Sequence, residues 1–86
     1  MAKYEAVDTR KMTLGGTSSE ENFDGICTSV IVRASAACYI DFDKPADTGS
    51  IPLDSDDGLV QIFVPFTRIT GITSGGTVTL WVTGVR

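Results

Sequence analysis

The chain has 86 residues, 42% hydrophobic and 21% charged, with a formal net charge of −4 and no histidine. That length makes a single domain spanning 1–86, because two would each be too small to bury a core, and the apolar share excludes a disordered chain. The acidic balance without a basic face argues against a nucleic-acid partner, and the missing histidine removes the Ser-His-Asp and Cys-His systems and most zinc sites.

The opening stretch, "MAKYEAVDTRK", has no apolar signal region, and no run approaches the roughly 20 apolar residues of a membrane helix. Synthesis in a cytoplasm and no membrane partner are therefore expected. "KYEAVDTRKMTL" alternates as one bent strand or two short ones would. "GGTSSEENFDG" holds the only hint of a helical turn, with Ser18 or Ser19 as cap and Glu21 nearby, but its flanking glycines favour a loop. Residues 1–25 thus read in part as an extended arm that orders on contact with a neighbour.

From Ile26 onward the period is two. "ICTSVIVRA" places Ile26, Thr28, Val30 and Val32 on one face and Cys27, Ser29, Ile31 and Arg33 on the other. "ACYIDFD" sets Cys38, Ile40 and Phe42 against Tyr39, Asp41 and Asp43. A hairpin around "ASA" would pair Cys38 near Val32 and keep it from Cys27, so both cysteines are expected as buried, reduced thiols. "KPADTGSIP" is a long connection. "LVQIFVPF", Leu59 to Phe66, is apolar on both faces apart from Gln61, as an interior or interface strand is, and Pro65 ends its ladder or marks an edge. "TRITGIT" is short and β-branched. "SGG" offers the positive-φ residues of a tight hairpin, and "TVTLWVTGV" sets Val78, Leu80 and Val82 opposite Thr77, Thr79, Trp81 and Thr83. The expected fold is all-β: a small sandwich or jelly-roll-like barrel of five to eight short antiparallel strands.

Three groups of residues are candidates for function. Asp41, Asp43, Asp54, Asp56 and Asp57, with Tyr39, form an acidic set that an oxygen-loving cation such as Ca²⁺ would suit. An EF-hand register from Asp54 fails, since glycine falls fifth, at Gly58, and the twelfth place is Pro65. "DSDDG" is therefore read first as an Asp-initiated turn, and no metal or other cofactor is assigned. No catalytic set emerges: Glu20–Glu21 or Asp41–Asp43 lack a cleft, and "GGTSS" lacks the lysine and helix of a phosphate cradle. Leu59, Gln61, Phe63, Phe66 and Trp81 are the candidate interface, because apolar strand faces in so small a domain need covering. Tyr39 and Trp81 beside aspartates offer a second reading, stacking on a sugar ring in a small carbohydrate-binding module of a phage fibre or cell surface.

The succession "YIDF" (Tyr39 to Phe42), the acidic turn Pro52 to Gly58, "VPF" (Val64 to Phe66), "ITGI" (Ile69 to Ile72) and "GTVTL" (Gly76 to Leu80) resembles small β-sandwich accessory proteins of tailed-phage virions. It covers about half the chain. The resemblance implies a head decoration or cement protein with no active site. Such a protein would bind the lattice of the major capsid protein or another virion subunit, and would self-associate, as a trimer by preference or as a dimer. The virion is then its expected location.

Overall fold

The computed structural model describes residues 6–86, with side chains for 9–23 and 25–86. Eight strands run in chain order: β1 (Ala6–Leu14), β2 (Ser19–Cys27), β3 (Ser29–Ala34), β4 (Cys38–Phe42), β5 (Ile51–Leu53), β6 (Val60–Ile62), β7 (Phe66–Ile72) and β8 (Val78–Val85), with a 3₁₀ turn at Ser55–Asp57. They form two four-stranded sheets, β1-β8-β3-β6 (sheet I) and β2-β7-β4-β5 (sheet II), and every pairing is antiparallel. This order, in which the chain winds inward between two facing sheets, is that of an eight-stranded jelly roll.

Alternation builds the core. The inward sets Val30, Val32 and Ala34 of β3, Cys38 and Ile40 of β4, and Val78, Leu80 and Val82 of β8 are all buried. Leu14, Phe23, Cys27, Phe66 and Ile69 fill the space between the sheets, with Phe42, Val60, Ile62 and Val64 packed against them. Gly71 of sheet II and Gly84 of sheet I sit directly against side chains of the opposite sheet. A Cβ on Gly71 would meet Leu14 at 2.8 Å, and one on Gly84 would meet Phe23 at 2.9 Å.

Several expectations need correction. Residues 6–25 are not an arm: β1 lies in sheet I and most of β2 in sheet II, joined at Arg10 Nη1–Glu21 Oε2, 2.9 Å. The remainder of that predicted arm, 1–5, lies outside the described residues. The run from Ile26 is not one strand. It divides at Thr28, where the chain leaves sheet II for sheet I and the phase flips, so Cys27 is buried and Ile26 is exposed. Neither "ASA" nor "SGG" closes a hairpin, since β3 and β4, like β7 and β8, lie in different sheets. Both cysteines are nonetheless free and buried.

Candidate interaction surface

Strand β8 is central in sheet I, between β1 and β3. With Val78, Leu80 and Val82 turned inward, Trp81 must stand on the outer face, where it is 38% exposed. Its register partners are Lys11 on β1 and Arg33 on β3, so two cations flank the indole. The Arg33 guanidinium lies over the ring, 5.6 Å from its centroid, within cation–π range. The next row across the sheet runs Thr9, Thr83, Ile31, Gln61, and the first two hydroxyls are 2.9 Å apart.

At the rim of this face, β6 packs Val60 and Ile62 against the core, and the intervening positions face outward. Leu59 and Phe63 are 74% and 68% exposed, and Gln61 Nε2 donates to Ser29 Oγ at 3.4 Å. Of the five predicted interface residues, Gln61 and Trp81 thus stand on the outer face of sheet I, and the exposed Leu59 and Phe63 flank β6 at its rim. Phe66 does neither. It is buried on β7, edge-to-face with Phe23 at 5.6 Å and beside Phe42 at 5.1 Å, so it belongs to the core. Lys11 and Arg33 escaped the sequence reading because their place beside Trp81 depends on register, which alternation within one strand does not supply.

The acidic candidates are not gathered. Cys38 pairs with Leu53, so Asp54 lies beside the start of β4, while Asp43 lies five residues on, ~16 Å at the usual strand rise. Four of the five have local partners instead. Asp41 accepts from Phe42 N–H (2.9 Å) and the Ser50 hydroxyl (3.0 Å) and lies 3.6 Å from Lys44 Nζ. Burial pushes its pKa up, but these contacts outweigh it and hold the group below its ordinary value. Asp43 Oδ1 accepts from Thr67 N–H (3.1 Å), the Thr67 hydroxyl (3.0 Å) and Arg68 N–H (3.0 Å), with the Thr67 backbone bond doing most to lower its pKa. Asp54 caps the 3₁₀ turn through Ser55 N–H (2.6 Å), and Asp57 Oδ2 receives the N–H of Asp54 (2.8 Å), closing a capping box. Asp56 is exposed on the same turn. Among the described residues, no three Asp, Glu or Cys side chains come together as a metal site.

Tyr39 stands on the outer face of sheet II, opposite in the sandwich from Trp81, so the two cannot grip one sugar ring. Tyr39 instead borders an open groove of about 300 Å³ with Pro52, its cross-strand partner, and with Cys38, Asp54 and Asp57. Burial, and then the Asp54 charge, push the Cys38 thiol up to about 11, so it is no nucleophile at neutral pH.

No family model, curated protein or solved structure matches the chain.

Proposed function

We propose that the chain is a structural subunit of a tailed-phage virion that decorates or cements the capsid, docking on the major capsid lattice through the outer face of sheet I. The observation that carries this reading is Trp81 on the outer face of sheet I with the exposed Leu59 and Phe63 flanking its edge strand β6. These are three of the five large apolar side chains exposed among the described residues, Ile26 and Ile51 belonging to sheet II, and such a grouping on a small domain marks an association surface. Lys11 and Arg33 give that face a local positive charge on an acidic chain, suited to acidic groups on the partner. The strand motifs quoted above are what assign the partner to a virion. On this reading the chain performs no chemistry, binds neither nucleic acid nor membrane, and resides in the particle.

Co-sedimentation with capsids lacking accessory proteins tests it. Wild type should pellet with the particles, and Trp81→Ser and Phe63→Ser should each weaken binding at least tenfold. Unchanged binding in both variants removes the face from the mechanism.

The groove at Tyr39 supports a second reading, a small carbohydrate-binding module. An aromatic ring beside two carboxylates suits a sugar's apolar face and hydroxyls. Calorimetry against a glycan panel, repeated with Tyr39→Ala, separates the two readings. Trp fluorescence is unsuited, because Trp81 lies on the other sheet.

A further inference from the structure

The two sheets have four edges, and three are blunted. Strands β1 and β2 are both irregular in register, the first between Ala6 and Asp8, the second between Asn22 and Cys27 around Gly25. They are also tied together by Arg10–Glu21. At β5, the Asp43 N–H donates to Arg68 O, so antiparallel alternation gives the odd-numbered residues of β4 their bonds to β7 and leaves Cys38 and Ile40 to bond β5. Pro52, opposite Tyr39, therefore occupies a place whose N–H would point to the open edge, and proline has none.

The edge at β6 has no such protection. Ser35 N–H donates to Thr79 O, so the odd-numbered residues of β3 bond β8, while Val30 and Val32 bond Ile62 and Val60. Both backbone groups of Gln61 then point outward from the sheet edge, as do Leu59 C=O and Phe63 N–H across the trans peptides that flank β6. From Leu59 to Thr67 there is no charged residue, and Pro65 lies beyond the strand.

We propose that β6 pairs antiparallel with β6 of a second copy about a two-fold axis at Gln61, joining two copies of sheet I into one eight-stranded sheet. The inference rests on the virion reading proposed above, whose resemblance implies self-association, and names the geometry of that association. The register is self-complementary: Gln61 faces Gln61, and Leu59 faces Phe63 in both halves, so the two most exposed apolar side chains of the described residues cover each other. Gln61 meets Gln61 as a hydrogen-bonded pair and each Phe63 N–H meets a Leu59 C=O, four bonds across the seam. Gln61 is suited to the axis because its amide is both donor and acceptor, and the bond to Ser29 uses only one N–H. The acidic turns Asp54–Gly58 fall at opposite ends of the seam, so they do not repel. A two-fold interface closes with two copies, which makes the unit a dimer and not the trimer favoured by the resemblance.

The test uses the full chain. Light scattering across 1 µM to 1 mM should give twice the 9.1 kDa mass for wild type at the upper concentrations. Gln61→Pro removes an outward N–H and the long side-chain bond to Ser29 but none of the backbone bonds that hold β6 to β3, so it should remain folded by circular dichroism and be monomeric throughout; Phe63→Lys should weaken the dimer at least tenfold. Register is read by cysteine pairing. Gln61→Cys should form a covalent dimer on mild oxidation, since directly opposed hydrogen-bonded residues have Cα atoms about 5.5 Å apart, within disulfide range. Leu59→Cys alone should not, but should cross-link with Phe63→Cys on the other copy. A wild-type monomer at 1 mM, a folded Gln61→Pro dimer, or equal self-linking at 59 and 61 overturns the inference. The outcomes separate from the virion reading: capsid binding by a monomer retains that reading and removes the dimer, and a dimer indifferent to capsids does the reverse.

Discussion

Arg33 and Trp81 are direct cross-strand partners at the centre of sheet I, with the guanidinium 5.6 Å from the indole centroid on the solvent side. The contact joins two residues that share no core neighbour role, so it tests whether this face is built for stability or for association. An exposed cation–π pair contributes roughly 0.5–1 kcal/mol. Arg33→Ala and Trp81→Ser should each shift the unfolding free energy by no more than about 1 kcal/mol, and a double-mutant cycle should return coupling of that order. On the proposed virion reading, capsid binding should fall much further than stability. A loss of several kcal/mol in urea melts would make Trp81 a structural residue.

Phe63 and Phe66, three positions apart, separate the surface from the core. Phe66→Ala removes the ring that Phe23 and Phe42 pack against, and such truncations cost about 3–5 kcal/mol. A domain of this size has little to spare, so the variant should be largely unfolded at 25 °C by circular dichroism. Phe63→Ser should melt within about 0.5 kcal/mol of wild type.

The thiols are a probe of the same packing. Cys27 and Cys38 are buried, and desolvation raises both pKa values, with Arg86 opposing at Cys27 and Asp54 adding at Cys38. Both should resist a disulfide reagent at pH 8 in the native protein and react at once in denaturant. Fast native labelling would mean that the sandwich opens readily.

Much of the architecture was legible in the sequence, and for a physical reason. A period of two and β-branched composition report the strand itself, so β4 and β8 fell where "ACYIDFD" and "TVTLWVTGV" placed them, with the expected faces inward. What alternation does not report is which sheet a strand joins. Six of the seven connections here cross between sheets, yet "ASA" and "SGG" carry the small and glycine residues that a hairpin also uses. The burial of Phe66 was hidden likewise: β6 ends at Ile62, short of Pro65, and Phe66 starts a new strand in the other sheet. For the candidate site, Leu59, Phe63 and Trp81 were visible as excess apolar residues, but Lys11 and Arg33 required register.

The acidic turns make a prediction about metal. Asp54 and Asp57 cap their own turn, and Asp41 and Asp43 are engaged ~10 Å and ~16 Å further along β4 by strand rise. Millimolar calcium, and then a chelator, should leave the melting temperature unchanged. A rise of more than about 3 °C with calcium would require the carboxylates to rearrange into a site, since a ligand that binds only the folded state stabilises it.

Acid stability follows from Asp43 and Asp41. Asp43 has φ 57°, a left-handed backbone that side chains rarely adopt, and its Oδ1 accepts from Thr67 N–H, the Thr67 hydroxyl and Arg68 N–H, fastening the end of β4 to β7. Both carboxylates have pKa values lowered from 3.8 in the folded state. A lowered folded pKa means that the unfolded chain takes up protons first. The stabilisation is therefore complete above about pH 5, declines as pH falls through 3.8, and is gone below the folded values. Stability measured from pH 6 to 2 should decline mainly below pH 4. Asp43→Asn keeps an acceptor and tolerates the backbone, so it should lose less than about 1 kcal/mol at pH 7 while flattening the acid limb. Asp43→Ala loses the three bonds and strains the turn, and should cost roughly 1–3 kcal/mol at pH 7. An acid limb unchanged in Asp43→Asn would assign the acid sensitivity to other carboxylates.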